Sequence, residues 1–163
     1  MAYSSDQIEV MNSIIKRYPR SRSAIMPLLH YVQSLAGYVT NEGIEEIAKL
    51  LQLETAEVTA VATFYTQYKR RPVGEYHVGV CTNTLCAVMG GDAIFAALKD
   101  HLGVENDGVT ADGKVSLEHI ECNAACDYAP VVMANWEFYD NQNVETAKDL
   151  VDSMRKGTPK PPT

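Results

Sequence analysis

Two close pairs of cysteines, Cys81-x4-Cys86 and Cys122-x3-Cys126, are the only cysteines in this chain, and both lie in its second half. Thiolates are soft donors, suited to an iron–sulfur centre or to zinc. The stretch between the pairs has room for a helix and a strand, so a fold can bring two remote loops around one four-thiolate centre. Disulfides are the competing use of such pairs, and the expected compartment argues against them. Met1 is followed by Ala2-Tyr3-Ser4-Ser5-Asp6, with no basic stretch and no apolar run of the kind that leads a chain out of the cytosol or across a bilayer. A cytosolic chain is therefore expected, where disulfides are rare and a redox dithiol is more often spaced C-x-x-C. Zinc knuckles favour tight spacings that these gaps meet only loosely. A [2Fe–2S] core takes four thiolates, one pair per iron, and each loop offers one pair. Iron leads; a zinc-stapled adaptor without redox chemistry is the alternative.

The elements that must position these loops follow from periodicity. Tyr76, Val78 and Val80 alternate, predicting a strand that ends at Cys81, and Gly90-Gly91 leads into a helix carrying Ile94, Phe95, Leu98 and Leu102. Val115 and Leu117 through Ile120 predict a second strand running into Cys122. A hairpin is expected where Val131-Val132-Met133-Ala134 and Glu137-Phe138-Tyr139 flank Asn135-Trp136, and a last helix carries Val144, Ala147, Val151 and Met154 behind an Asn141 or Asn143 cap. Trp136, Phe138 and Tyr139 are read as core, with an interface edge as the other use.

The first half reads as helical throughout. Asp6 with Glu9 suggests a cap, with Ile8, Met11, Ile15 and Tyr18 at helical spacing before Pro19. A second helix is expected from Ser21 or Ser23 to Gly37, with Pro27 near its first turn; a third spans about Glu42 to Leu51. A fourth spans about Thr55 to Tyr65, with Val58, Val61 and Tyr65 on one face. Four short helices are expected to bury little alone and to need a docking surface. Arg70-Arg71-Pro72-Val73-Gly74 reads as a linker. The organisation expected is a helical bundle over 1–70, a cysteine-bearing α/β domain over 75–156 and a proline-rich tail over 157–163.

A net charge of −7 and 46% apolar residues describe a globular chain with no nucleic-acid partner. Lys16-Arg17 with Arg20 and Arg22, and Lys69-Arg70-Arg71, are short enough to be solvated surface, with docking to an acidic partner as the alternative. No G-x-G-x-x-G follows the first strand, so Gly90-Gly91 is not a nucleotide fingerprint. Those glycines serve either a tight turn into a helix or amides and a helix dipole facing the cysteines. His77 and His119 read as strand histidines rather than ligands, and the Pro130 bond is open to either isomer.

Ala-Thr-Phe64-Tyr65, Val80-Cys81-Thr-Asn-Thr-Leu-Cys86-Ala-Val-Met-Gly-Gly91 and Glu121-Cys122-Asn-Ala-Ala-Cys126-Asp-Tyr-Ala-Pro-Val-Val-Met133 together resemble the thioredoxin-like [2Fe–2S] subunit of bacterial NADH:quinone oxidoreductase, respiratory complex I. The likeness runs from about Tyr18 to about Val151. It implies an α+β fold, with a small helical bundle before a thioredoxin-like α/β domain whose sheet is mixed. It also implies Cys81, Cys86, Cys122 and Cys126 as ligands of one [2Fe–2S] cluster, with no catalytic residue in this chain. FMN and NADH would be bound by a partner subunit, so the chain would act as a non-hydride-transferring part of a larger oxidoreductase and not alone. Such a complex would hold it at the cytoplasmic face of the membrane without insertion. Equivalent subunits of NAD-linked formate dehydrogenases and bidirectional hydrogenases share the pattern.

Overall fold

This computed structural model describes residues 3–158; Pro159 to Thr163 of the expected tail lie outside the described residues. The chain forms two compact units that divide between Pro72 and Val73.

The first unit is built from α1 (Ser5–Ile15), α2 (Ile25–Ala36), α3 (Asn41–Leu51) and α4 (Thr55–Phe64). The cap of α1 is Ser4, not Asp6. Ser4 has an extended backbone, its hydroxyl accepts from the Gln7 N–H, and Gln7 Oε1 accepts from the Ser4 N–H at 2.9 Å. That reciprocal pair satisfies two free donors and leaves Asp6 in the first turn. A single 3-10 turn, Ser21–Ala24, leads into α2, which keeps Pro27 in its first turn, where no N–H is needed. It ends at Gly37, whose φ of 79° is the left-handed conformation of a helix C-terminus. Thr40 caps α3 by accepting from Gly43 N at 3.0 Å, and α4 opens on a Glu54–Glu57 box. The inward face of α4 is Val58 and Ala62, with half-buried Val61 packed against the same core, so of the expected Val58, Val61 and Tyr65 the last departs. Tyr65 follows the helix in extended backbone and is 40% exposed.

Met11, Leu28, Leu29, Val32, Ile47, Leu51 and Val58 are buried together. The helical unit therefore has its own apolar core and depends less on an outside surface than its short helices suggest.

The second unit is a five-stranded mixed sheet in the order β2-β3-β1-β4-β5, formed by β1 (Tyr76–Cys81), β2 (Gly108–Val109), β3 (Val115–Ile120), β4 (Val132–Ala134) and β5 (Glu137–Tyr139). β1 is central and runs parallel to β3; every other pairing is antiparallel. The chain crosses between strands through α5 (Thr84–Val88) and α6 (Gly91–Leu102), and closes on α7 (Val144–Arg155). The period-two pattern sends Tyr76, Val78, Val80, Val115 and Leu117 to one core. There they meet Ile94, Leu98 and Leu102 of α6 and Ala147, Val151 and Met154 of α7. Asn143 caps α7, accepting from Glu145 N and Thr146 N. This is the α+β architecture expected. The two-residue β2 and the short helix α5 are additions to it.

The hairpin departs from expectation in its aromatics. Asn135 and Trp136 both have positive φ, as a tight two-residue turn requires. Asn135 holds the turn: Oδ1 accepts from His77 N at 2.8 Å and Nδ2 donates to Glu75 O at 2.9 Å. Trp136 and Phe138 then stand outward, about half exposed, while Tyr139 packs at the edge of the core. They are surface, not centre.

At the far end of the sheet the Arg155 guanidinium grips Asp112 Oδ2 at 2.8 and 2.9 Å, tying α7 to the turn before β3. The Thr110 hydroxyl, the Lys114 N–H and Arg155, in that order, hold the Asp112 carboxyl well below its usual range, at about 2. Among the described residues, no helix is long and apolar enough to cross a membrane.

Candidate metal centre

Cys81 is the last residue of β1, and its register partner is Ile120, the last residue of the parallel β3. Two parallel strands ending level deliver both cysteine loops to the same edge of the sheet. That edge is where open α/β sheets gather ligands. Asn83 links the loops, its Nδ2 donating to Ile120 O at 3.4 Å.

The first loop folds as α5. Cys86 is turned inward, 4% exposed, while Leu85 and Val88 face out. Gly90 follows in left-handed backbone at φ 112° and donates to Ala87 O at 3.0 Å. At Gly91 a Cβ would lie 2.5 Å from Cys81 O and 2.9 Å from Cys86 O. The two glycines therefore serve different ends: Gly90 takes the left-handed turn, and the missing side chain of Gly91 lets the start of α6 pack on the carbonyls of the first cysteine pair. Gly91→Ala is expected to push that loop outward and destabilise the fold by roughly 1–3 kcal/mol, the ordinary cost of overpacking. Thermal unfolding and the iron retained on purification would both register it. Wild-type values for the two would contradict the packing argument.

The second loop turns through Ala124, whose φ of 55° is unusual for a residue with a side chain. That turn brings the Ala124 N–H to 3.3 Å from Cys122 Sγ. Cys126 opens a short 3-10 turn, Ala129 packs against Cys81 and Cys86, and the Ala129–Pro130 bond is cis. Beyond it Val131 O accepts from Cys81 N at 3.1 Å, so the end of β1 is fastened to the second loop.

Among the described residues, no three His, Cys, Asp or Glu side chains gather around one point as ligands of a single ion. The thiols stand instead as two pairs. Cys86 lies against Cys81 and Cys126 against Cys122, and each pair senses the other through Cys126. Burial raises the Cys86 thiol above its ordinary range; the Val131 N–H opposes this, and the thiols of Cys81 and Cys126 add to it. Cys126 is also held up, first by desolvation in its loop and then by Cys122. Thiols that oppose one another's ionisation give up their protons together only when cationic charge enters among them. Two pairs with backbone N–H donors at Cys86 and Cys122 fit a dinuclear core, which needs two thiolates per iron.

One polar group in the second loop has no acceptor. Asn123 Nδ2 is buried and makes no hydrogen bond. Its signal in the sequence is weak, an asparagine within two residues of the first cysteine of each loop, and asparagine there reads first as a turn residue. The histidines are elsewhere. His77 Nδ1 is 2.8 Å from Ser116 Oγ and Nε2 is 2.8 Å from Glu118 Oε2, though off hydrogen-bond alignment, while His119 is exposed beside Phe95.

Residues 11–155 match the thioredoxin-like [2Fe-2S] ferredoxin family. The chain belongs to that family. Curated relatives that resemble this ferredoxin-type protein are named as a subunit of NADH-quinone oxidoreductase. One, from Mycobacterium bovis, is 67% identical over 150 residues, covering 92% of this chain and 60% of its own length. Another, from Rickettsia bellii, is 38% identical over 157 residues, covering 94% of both proteins. The chain thus spans about 60% of the length of the Mycobacterium relatives it matches. Among solved structures, an NAD+-reducing [NiFe]-hydrogenase in the H2-reduced state superposes with a TM-score of 0.70 at 18% identity, over 81% of this chain and 22% of that one. At that identity the likeness is one of fold.

Proposed function

We propose that this chain is the [2Fe–2S] electron-transfer subunit of the NADH-oxidising module of an NADH:quinone oxidoreductase. The observation that carries the reading is the pair of thiol pairs delivered level by the parallel strands β1 and β3. Cys81 and Cys86 would bind one iron, Cys122 and Cys126 the other. When bound, the cluster supplies transfer of one electron at a time. The chain's own residues orient the thiolates, keep one pair out of water and supply N–H donors to sulfur at Cys86 and Cys122. The names of the Mycobacterium and Rickettsia relatives favour the quinone-linked complex. In this reading FMN and NADH bind a partner subunit, residues 1–72 serve assembly, and the chain is peripheral on the cytoplasmic face of the membrane through its complex.

Anaerobic purification tests the metal directly. The expected product is brown and carries about two irons and two inorganic sulfides per chain, without zinc. A colourless protein with stoichiometric zinc would sink the electron-transfer reading and restore the stapled adaptor.

A further inference from the structure

We propose that the Asn123 side-chain amide donates a hydrogen bond to cluster sulfur and thereby raises the reduction potential of the centre. This rests on the cysteine assignment above. A buried donor without an acceptor forfeits its bond to water and gains nothing in return, so native proteins rarely leave one unexplained. Three buried side-chain atoms among the described residues lack a hydrogen-bond partner: His77 Nε2, Asn123 Nδ2 and Gln142 Oε1. The first has the Glu118 carboxylate 2.8 Å away. Gln142 Oε1 is an acceptor and cannot donate to sulfur. Only Asn123 is a donor seated between two thiol-bearing positions, one residue after Cys122 and three before Cys126.

Its counterpart in the first loop makes the contrast. Asn83 Nδ2 already has Ile120 O and acts as a tie between loops. Beside Asn123 one backbone N–H meets sulfur: Ala124 is in left-handed conformation and its N–H donates to Cys122 Sγ. Such turns form anion-binding concavities. The Asn123 amide makes no bond to a cysteine sulfur, so the acceptor it would find in the same turn is a sulfide of the bound core. The cluster is formally about −2 when oxidised and about −3 when reduced, so a donor to sulfur stabilises the reduced form more. No covalent step is involved; the electron comes from the titrating reductant and the amide keeps its protons.

The test uses the full chain with its cluster, a redox titration followed by the reduced-state spin signal, and the variants Asn123→Leu and Asn123→Asp. Asn123→Leu removes the donor at similar volume and is expected to shift the reduction equilibrium about tenfold toward the oxidised form, about 59 mV lower for a one-electron couple. Asn123→Asp, which brings a carboxylate where the amide stood, is expected to go at least as low. With isotopically labelled asparagine, the reduced wild-type cluster should show a side-chain nitrogen coupling that both variants lose. A full cluster in Asn123→Leu with an unchanged potential overturns the proposal while leaving the ligand assignment intact. If Asn123→Leu takes up no cluster, the labelled wild type decides, and absence of the nitrogen coupling overturns the proposal. A wild-type protein that takes up no iron overturns the ligand assignment and this proposal with it.

Discussion

Serine at any one of Cys81, Cys86, Cys122 or Cys126 is expected to lower cluster retention by more than the 10–100-fold typical of losing a residue that merely orients a ligand, or to leave a centre with altered visible absorption and spin signal. In the proposed assignment each iron draws on one pair, so removing either member would leave that iron a thiolate short. A serine hydroxyl is a harder donor and ionises far less readily than a thiol, so it replaces the ligand poorly. The two pairs should differ in how they fail. Cys81 and Cys86 are buried, so a serine there also leaves a hydroxyl in an apolar pocket beside Ala129, and the apo variants should unfold more easily. Cys122 and Cys126 are exposed, so their serine variants should keep wild-type apo stability while losing the cluster. Iron content, absorption and thermal unfolding of the four variants separate these effects. Wild-type spectra in all four would mean that the ligands are misassigned.

Local pattern and non-local pairing contribute unequally to what the sequence reveals. The alternation of Tyr76, Val78 and Val80 marks β1, and the Val144, Ala147, Val151 and Met154 stripe marks α7, because each carries its period within one element. The helix α5 is only five residues long, too short to show a helical period, and β2 is two residues whose strand character comes entirely from pairing with β3. Asp6 and Ser4 are both acceptable caps; the reciprocal bond from Gln7 selects Ser4. Trp136 and Phe138 look like core by composition. Their exposure follows from the two-residue turn that Asn135 pins to β1, a contact across the sheet.

At the candidate metal centre the residue types are legible in the sequence and their arrangement is not. Spacing alone says that each loop offers two thiols. That the loops face one another depends on the level ending of β1 and β3, a register between strands remote in the chain that sets Cys81 opposite Ile120. Gly90-Gly91 leaves open a choice between tight turn and dipole, and the close approach of Gly91 to Cys81 O and Cys86 O favours the packing role. Asn123 does not stand out among the asparagines of the sequence, because its meaning lies in the lack of an acceptor.

Mixing with NADH under anaerobic conditions should leave the cluster of the isolated chain oxidised, and adding a flavin-bearing partner subunit should make its reduction fast. NADH delivers a hydride, two electrons at once, whereas a [2Fe–2S] centre accepts one. The chain has no G-x-G-x-x-G fingerprint after its strands. In the proposed assembly a flavin on another subunit would split the electron pair before it reaches these thiolates. Removing residues 1–72 tests how the assembly is held. The remaining unit keeps its own core and all four cysteines, so the shortened protein is expected to retain its visible spectrum. The helical unit has a core of its own and still exposes an aromatic pair, Phe64 at 77% and Tyr65 at 40%, packed edge to face on each other. If that unit serves assembly, the shortened protein should bind the flavin subunit at least about tenfold more weakly, a loss of about 1.4 kcal/mol of binding energy, and its reduction by NADH should slow in step at limiting partner concentration. Rapid reduction of the isolated, flavin-free chain would overturn the division of labour, and full binding by the shortened protein would move the docking surface to the cluster-bearing unit.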